Sequence, residues 1–241
     1  MKTKVFILLM APLMFGSISS CKKKGCTDAS AANYSEEAKK DDESCVYTPV
    51  ISIIGSADMT VALGSTYVDQ GATAANADGA LVGVQSTSTV NTNLVGVYQV
   101  TYTATNNNGT STATRTVRVA VNQESYVGEW ATTGDCAGQT GMALNNDPTI
   151  TAGATSDEIL ITDFFNGITN TYGTAIAFLD GDEISIPQAQ DGAPGGLGDI
   201  IYSGFGTMNE DGQTFTITFT FQNTTPLTGN SGTCTATFTK F

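Results

Sequence analysis

The stretch "TFTITFTF", residues 214–221, alternates without a break: Phe215, Ile217, Phe219 and Phe221 against Thr214, Thr216, Thr218 and Thr220. A period of two sorts the side chains onto the dry and wet faces of a sheet, which a helix cannot do. The same period runs through "VYQVTYTA", where Tyr98, Val100, Tyr102 and Ala104 lie opposite Gln99, Thr101 and Thr103. It recurs near residue 120, where Val117, Val119 and Val121 oppose Thr116 and Arg118. From Pro49 onward helical periodicity is almost absent. The expected fold class is all-β.

The runs fall into two groups. Between 49 and 122 they are "VISII", "MTVAL", "TYVDQGATA", "ALVGV", "GVYQVTYTAT" and "TATRTVRVAV", punctuated by "GSAD", "NADG" and "NNNG". Six or seven strands over that span read as a β-sandwich. Between 124 and 241 they are "SYVGEWATT", "EILITDFF", "YGTAIAFL", "EISIP", "DIIYSGFGTM", "QTFTITFTFQ" and "GTCTATFTKF". Turns at "LDGDE" and "NEDGQ" link successive strands, as in a meander of hairpins. Seven or eight such strands are expected to close into a small antiparallel barrel, which removes the free edges.

The first twenty residues have a secretory layout. Lys2 and Lys4 precede an apolar run, Val5 to Phe15, and small residues follow. The run is shorter than the roughly 20 residues a membrane span needs. "ISSC", ending at Cys21, resembles the lipobox of bacterial lipoproteins, which implies a signal peptide over 1–20 and diacylglycerol on Cys21. Two or three acyl chains anchor stably where one does not. Lys22, Lys23 and Lys24 then either lie on anionic headgroups or form a soluble tether. Lys22 beside the lipidated residue resembles sorting to the outer membrane, with the periplasmic or external face left open.

Setting Cys21 aside leaves Cys26, Cys45, Cys136 and Cys234, an even set suited to an oxidising compartment. Three pairings are open to four cysteines, and the segment boundaries favour Cys26 with Cys45 and Cys136 with Cys234. The segment 21–48 thus holds the lipidated end and a cysteine-bounded spacer. Its Gly25-Cys26-Thr27-Asp28, Asn33-Tyr34 and Asp41-Asp42-Glu43-Ser44-Cys45 resemble a short repeat of secreted proteins in one group of Gram-negative bacteria. That repeat usually has glycine where Glu43 stands.

Two more resemblances concern the β units. "PVISIIG", "YVDQGATA", "ADGALVG", "GVYQVTYTATNNNG" and "TRTVRV" resemble the bacterial immunoglobulin-like module of surface and some pesticidal crystal proteins. This implies a stalk or adhesive sandwich over 49–122. Members often carry aspartate where Asn106 stands, so any calcium site of theirs is in doubt here. "YVGEW", "EISIPQ", "SGFGTM" and "CTATFTK" resemble the lipocalin-like domains that end many uncharacterised lipoproteins, which implies a barrel over 124–241. Trp130 is expected to plug the barrel floor, with ligand contact as the alternative.

Charge narrows the partners. The chain has 23 acidic and 10 basic residues, net −13, and past Lys40 the basic residues are Arg115, Arg118 and Lys240. A footprint for nucleic acid is therefore excluded. The acidic surface chiefly confers solubility, with calcium or a basic partner as the alternative.

The chain lacks histidine, hence the usual general base and imidazole ligand. The cysteines have other roles, zinc spacing is absent, and "GAPGGLG" (192–198) precedes a strand without a following lysine. A carboxylate pair cutting a glycosidic bond remains conceivable among Asp163, Asp180, Asp182, Glu183 and Asp199, but turn chemistry accounts for most of them. No enzyme and no cofactor is expected. The calcium candidates are Asp180, Asp182 and Glu183, then 209–212, and Asp41, Asp42 and Glu43 in the spacer.

These observations lead to a monomeric, non-catalytic lipoprotein of structural, adhesive or display type. The alternative is a lipoprotein whose barrel captures a small apolar molecule or a glycan, and a protein partner is also open. A filled barrel interior favours the first and a hollow one the second.

Overall fold

The computed structural model describes residues 22–138, 142–166, 171–192, 198–226 and 229–241. Cys21 and residues 1–20, over which a signal peptide is expected, lie outside the described residues.

Residues 22–49 form a compact spacer around the Cys26–Cys45 disulfide. Polar side chains close its turns on the backbone. Asn33 donates to the Ser44 carbonyl at 2.6 Å and accepts from Val46 N at 2.9 Å. Asp41 and Asp42 accept from the amides two residues on, Glu43 N and Ser44 N. Glu43 sits at φ 64°, where glycine would be unstrained.

The first β unit contains β1 (Val50–Ile53), β2 (Asp58–Ala62), β3 (Ala72–Ala75), β4 (Leu81–Val82), β5 (Val84–Ser88), β6 (Gly96–Asn106) and β7 (Gly109–Ala120). One sheet has the order β1-β3-β4 and the other β2-β7-β6-β5. The long β6–β7 hairpin supplies most of the core. Val100, Tyr102 and Val117 face inward against Ile51, Ile53, Met59 and Val61, while Arg118 points out. Residues 66–71 depart from the strand expected there, and Gly71 turns at φ 79° before β3 begins. That detour brings Asp69 into the sandwich.

A four-residue helix, α1 (Gln123–Tyr126), leads into the second unit. Asn122 caps it in a reciprocal box with Ser125. There follow β8 (Gly128–Gly134), a 3-10 turn at Asp135–Gly138, β9 (Thr149–Ala152), β10 (Glu158–Asn166), β11 (Thr171–Asp180) and β12 (Glu183–Gly192). The chain ends with β13 (Asp199–Met208), β14 (Thr214–Asn223) and β15 (Ser231–Lys240). These eight strands form a closed barrel, β10-β11-β12-β13-β14-β15-β8-β9. The last strand pairs antiparallel with the first, Phe238 opposite Thr132. The Cys136–Cys234 disulfide stands at that seam. β9 lies outside the seven runs legible in the sequence, because "TITA" is too short to display a period.

Two bulges adjust the alternation. In β10 the register shifts between Thr162 and Phe165, with Asp163 at φ 52°, so Phe164 and Phe165 both turn inward. In β12 the shift between Ile186 and Ala189 accommodates Pro187, which has no N–H to give a ladder. Gly204 and Gly206 also serve the interior. A Cβ on Gly204 would lie 2.7 Å from Ile217 Cγ2, and one on Gly206 would lie 1.7 Å from the Thr216 carbonyl oxygen.

Candidate functional site

The barrel interior is the first place to expect a ligand, and the described residues pack it closely. At the end nearer the sandwich, Trp130, Phe215 and Phe238 pack ring on ring, with centroids 4.7 Å and 4.4 Å apart, and Tyr126 covers them edge-on to Phe215 at 5.6 Å. At the far end Phe164 meets Phe165, Tyr202 and Phe219 at 4.8–5.7 Å. Ile150, Ile159, Ile161 and Ile217 occupy the middle, all fully buried. Trp130 therefore offers no surface to a ligand, contrary to the alternative considered for it. Its ring is 0 % exposed, and its Nε1–H donates to the Tyr126 carbonyl at 2.7 Å. Thr132 Oγ1 is the exception to this saturation: among the described residues it is buried without a hydrogen-bond partner.

The calcium candidates Asp180, Asp182 and Glu183 lie on and beside a hairpin turn. Asp180 pairs with Glu183 across Gly181, whose φ of 64° suits a tight two-residue turn. The Asp182 carbonyl is taken by Met208 N and the Tyr126 hydroxyl. Among the described residues no three acidic or cysteine side chains gather as a metal site. Asp41 and Asp42 each use Oδ1 to close the spacer's own turns. The catalytic candidates are also dispersed. Asp199 begins β13 at the end of the barrel opposite the Asp180–Glu183 turn, about 30 Å away at strand rise, and Asp163 is exposed on its bulge.

Two polar arrangements escaped the sequence reading. The first is inside the sandwich. Arg115 is 1 % exposed; its guanidinium donates to Asp69 Oδ1 and to the carbonyls of Ile54 and Ser56. The Tyr102 hydroxyl donates to the same Asp69 oxygen at 2.5 Å, and Tyr67 does so at 3.2 Å. Burial raises the Asp69 carboxyl, but the Tyr102 hydroxyl, the Gly71 amide and Arg115 outweigh it and hold it below the usual carboxylate range. Burial, followed by the charge and hydrogen bond of Asp69, pushes Tyr102 up to about 12. All these groups are committed to one another, so the cluster is a structural clamp. A signal was present: Arg115 is in phase with Val117 and Val119, whereas Arg118 is out of phase.

The second lies where the two β units meet. Val95 N donates to the Glu210 carbonyl at 2.8 Å, and Leu63 packs against the barrel core. Gly212, at φ 68°, leaves room for it, since a Cβ there would lie 2.4 Å from Leu63 Cδ2. Lys240, from the end of β15, donates to the Ser125 carbonyl at 3.0 Å and lies over the Trp130 ring at 5.4 Å. Burial lowers its pKa, and the nearby Glu124 charge opposes that shift. An open cleft of about 660 Å³ lies there, lined by Asn93, Asn122, Glu124, Asp211, Gln213 and Lys240 among others. Its lining mixes apolar groups such as Ala62 and Leu63 with polar groups of both charge signs, and Lys240 already serves to fasten the barrel to α1.

With the geometry described, comparison with known proteins assigns the sandwich. Residues 51–119 match the family of bacterial surface protein Ig-like domains. The Ig-like domain fits a surface-type protein. No curated protein matches the chain. Among solved structures it is similar to the lipoprotein BT2262 from Bacteroides thetaiotaomicron, at 17% identity and a TM-score of 0.31, over 80% of this chain and 100% of that one. It is also similar to the CBM51-2 and INT domains of Clostridium perfringens ZmpB, at 14% identity and a TM-score of 0.24, over 78% of this chain and 43% of that one. No helix among the described residues is long and apolar enough to cross a membrane.

Proposed function

We propose that this is an outer-membrane lipoprotein of display or adhesive type, held by lipid on Cys21. The disulfide-stapled spacer and the Ig-like domain act as a stalk, and the lipocalin-like barrel is the part presented beyond them. The observation that supports this reading is the close packing of the described residues inside the barrel. Aromatic and aliphatic side chains fill it from Trp130 at one end to Tyr202 at the other, so recognition belongs on its outer surface. The fastening of the barrel to the Ig-like domain through Leu63, Val95 and Lys240 suits a rigid mount.

The test is made on cells. Wild type should fractionate with membranes and Cys21→Ala should appear in the soluble fraction. Protease added to intact cells should remove the barrel if it faces outward and spare it if it faces the periplasm. A Cys21→Ala product that still sediments with vesicles would sink the anchor.

A further inference from the structure

The outer wall of the barrel is unlike the rest of the chain. Between Asp211 and Lys240 there is no charged residue, and none occurs at 171–179, 184–190 or 200–209. In a chain of net charge −13 this leaves a broad neutral surface across β11 to β15. The acidic residues of these strands stand at their ends, at Asp180, Glu183, Asp191 and Asp199.

Strand register arranges that wall into rows. Phe178 of β11 pairs with Ser185 of β12, Ser185 with Phe205 of β13, Phe205 with Thr218 of β14, and Thr218 with Thr235 of β15. Phe205 is 71 % exposed and Phe178 40 %, and Ile176, two residues from Phe178 on the same face, is 47 % exposed. Two rings thus stand two strands apart, about 10 Å, with a hydroxyl between them, and the row continues into threonine hydroxyls for about 10 Å more. Thr218 and Thr235 already touch through their hydroxyls at 3.2 Å. Strand propensity accounts for threonine on a wet face. It favours phenylalanine in a strand as well but leaves open why these rings face water, and a cluster of exposed apolar groups rimmed by polar ones marks an interaction surface.

We propose that this wall binds a neutral polysaccharide chain, with Phe205 and Phe178 as stacking platforms and the Ser185–Thr218–Thr235 hydroxyls as hydrogen-bond partners. This rests on the display reading and names what the displayed domain would meet. Three observations select the occupant. The row itself carries no charge, and Asp180 and Glu183, one row further along the same face, would repel an acidic polymer, which favours a neutral one. Alternating ring and hydroxyl suits a sugar, which offers an apolar C–H face and a polar edge. The curvature of a closed barrel counts against a second copy. Two convex walls touch along a strip, short of the roughly 800 Å² per partner that a stable protein interface buries, whereas a polysaccharide can follow the curve.

The experiment uses the soluble chain from Lys22 to Phe241, so its result does not depend on the anchor. Native gels cast with hydroxyethyl-substituted β-1,4-glucan, a branched soluble β-1,3-glucan or galactomannan, all uncharged, should show retardation of the wild type by at least one of them. Phe205→Ala should weaken that retardation at least tenfold and the Phe178→Ala/Phe205→Ala double variant should abolish it. Phe205→Trp should retain it, and Phe241→Ala, at an exposed ring off this wall, should leave it unchanged. Phe205 is mostly exposed, so the Phe205→Ala melt should superimpose on the wild type, while the double variant, which also trims the half-covered Phe178, should melt cooperatively and well above the gel temperature. Failure of all three polysaccharides to retard the wild type would overturn the proposal. So would retardation that survives the double variant, or a wild-type dimer that Phe205→Ala dissolves.

Discussion

Arg115 and Asp69, 46 residues apart in sequence, form an ion pair inside the Ig-like domain, with Arg115 at 1 % and Asp69 at 24 % side-chain exposure. The pair ties β7 to the 66–71 detour, and the remaining guanidinium donors hold the carbonyls on either side of Gly55. Removing one partner of a buried pair typically costs about 3–5 kcal/mol, because the other charge is left uncompensated. Arg115→Met should therefore lower stability in urea by about 3 kcal/mol, the low end, since Asp69 keeps some contact with water. Adding Asp69→Asn to it should recover part of the loss. The Asp69 carboxyl is depressed, so its contribution is complete above the unfolded value of 3.8 and is lost as pH falls through the lower folded value. The acid limb of the stability curve should be steeper in wild type than in Asp69→Asn.

Arg115 also shows how far the sequence could be read. Alternation revealed both β units and the wet and dry faces of β6, β7 and β14, because one face of each strand is buried and the period is two. It also contained Arg115 in phase with valines, yet a charged side chain on a dry face makes sense only once its partner is known. Asp69 lies in a segment whose apolar residues read as strand. The bulge at Asp163 was hidden for a related reason: "DFF" breaks the alternation, and only the β11 register shows that both rings go inward. The outer wall was hidden because no single strand contains it. Phe178, Phe205 and Thr218 become neighbours only through pairing. Cys136 and Cys234 were easier, since closure of a meander brings the first and last strands together whatever the details.

That disulfide spans 98 residues. In the chain-entropy description a loop of this size contributes about 4.7 kcal/mol. The β8–β15 ladder closes the same seam without it, so Cys136→Ala/Cys234→Ala should still fold but lose about 2–5 kcal/mol in denaturant unfolding. A loss under 1 kcal/mol would mean that the unfolded chain holds its ends together by other means.

Asp191, at the end of β12, shows the opposite electrostatics to Asp69. Burial raises its carboxyl above the ordinary 3.8, and the long 3.4 Å hydrogen bond from the Tyr202 hydroxyl offsets only part of that. A raised folded value means a contribution that is complete below 3.8 and lost as pH climbs through the folded value. The ionised side chain thus burdens the fold at neutral pH. Asp191→Asn should raise the melting temperature at pH 7 and give no gain near pH 3. A variant less stable at both pH values would refute this account.

Thr132 faces the barrel core, 4 % exposed, and its hydroxyl has no partner among the described residues. A buried polar group left unpaired costs about 1–3 kcal/mol, whereas an apolar group of the same shape carries no such cost. Thr132→Val, nearly equal in volume, should stabilise the chain by about 1 kcal/mol in urea unfolding. Destabilisation instead would indicate a bound water that the hydroxyl serves.

Asn106 ends β6 at the contact between the spacer and the Ig-like domain. Its amide nitrogen donates to the Tyr47 carbonyl at 3.0 Å and to Asn76 Oδ1 at 2.8 Å, so the N–H₂ stands between two acceptor oxygens. Its own oxygen accepts from Asn108 N at 2.8 Å, closing the β6–β7 turn. Aspartate would keep the last bond and lose the first two, and would set a carboxylate against two oxygens. Asn106→Asp should weaken this contact by about 1–3 kcal/mol, read as faster hydrogen exchange at Val46 and Ala32, whose amides are bonded within the spacer. Four oxygens would then face one another, those of the new carboxylate, the Tyr47 carbonyl and Asn76 Oδ1, with Asn108 still donating to the Tyr47 carbonyl at 3.2 Å and to the carboxylate through its N–H; a hard cation accepts such oxygens. Millimolar calcium should therefore restore slow exchange in Asn106→Asp and leave the wild type, where the amide protons occupy that place, unchanged. If calcium slows exchange equally in both, the amide is not standing in for a cation.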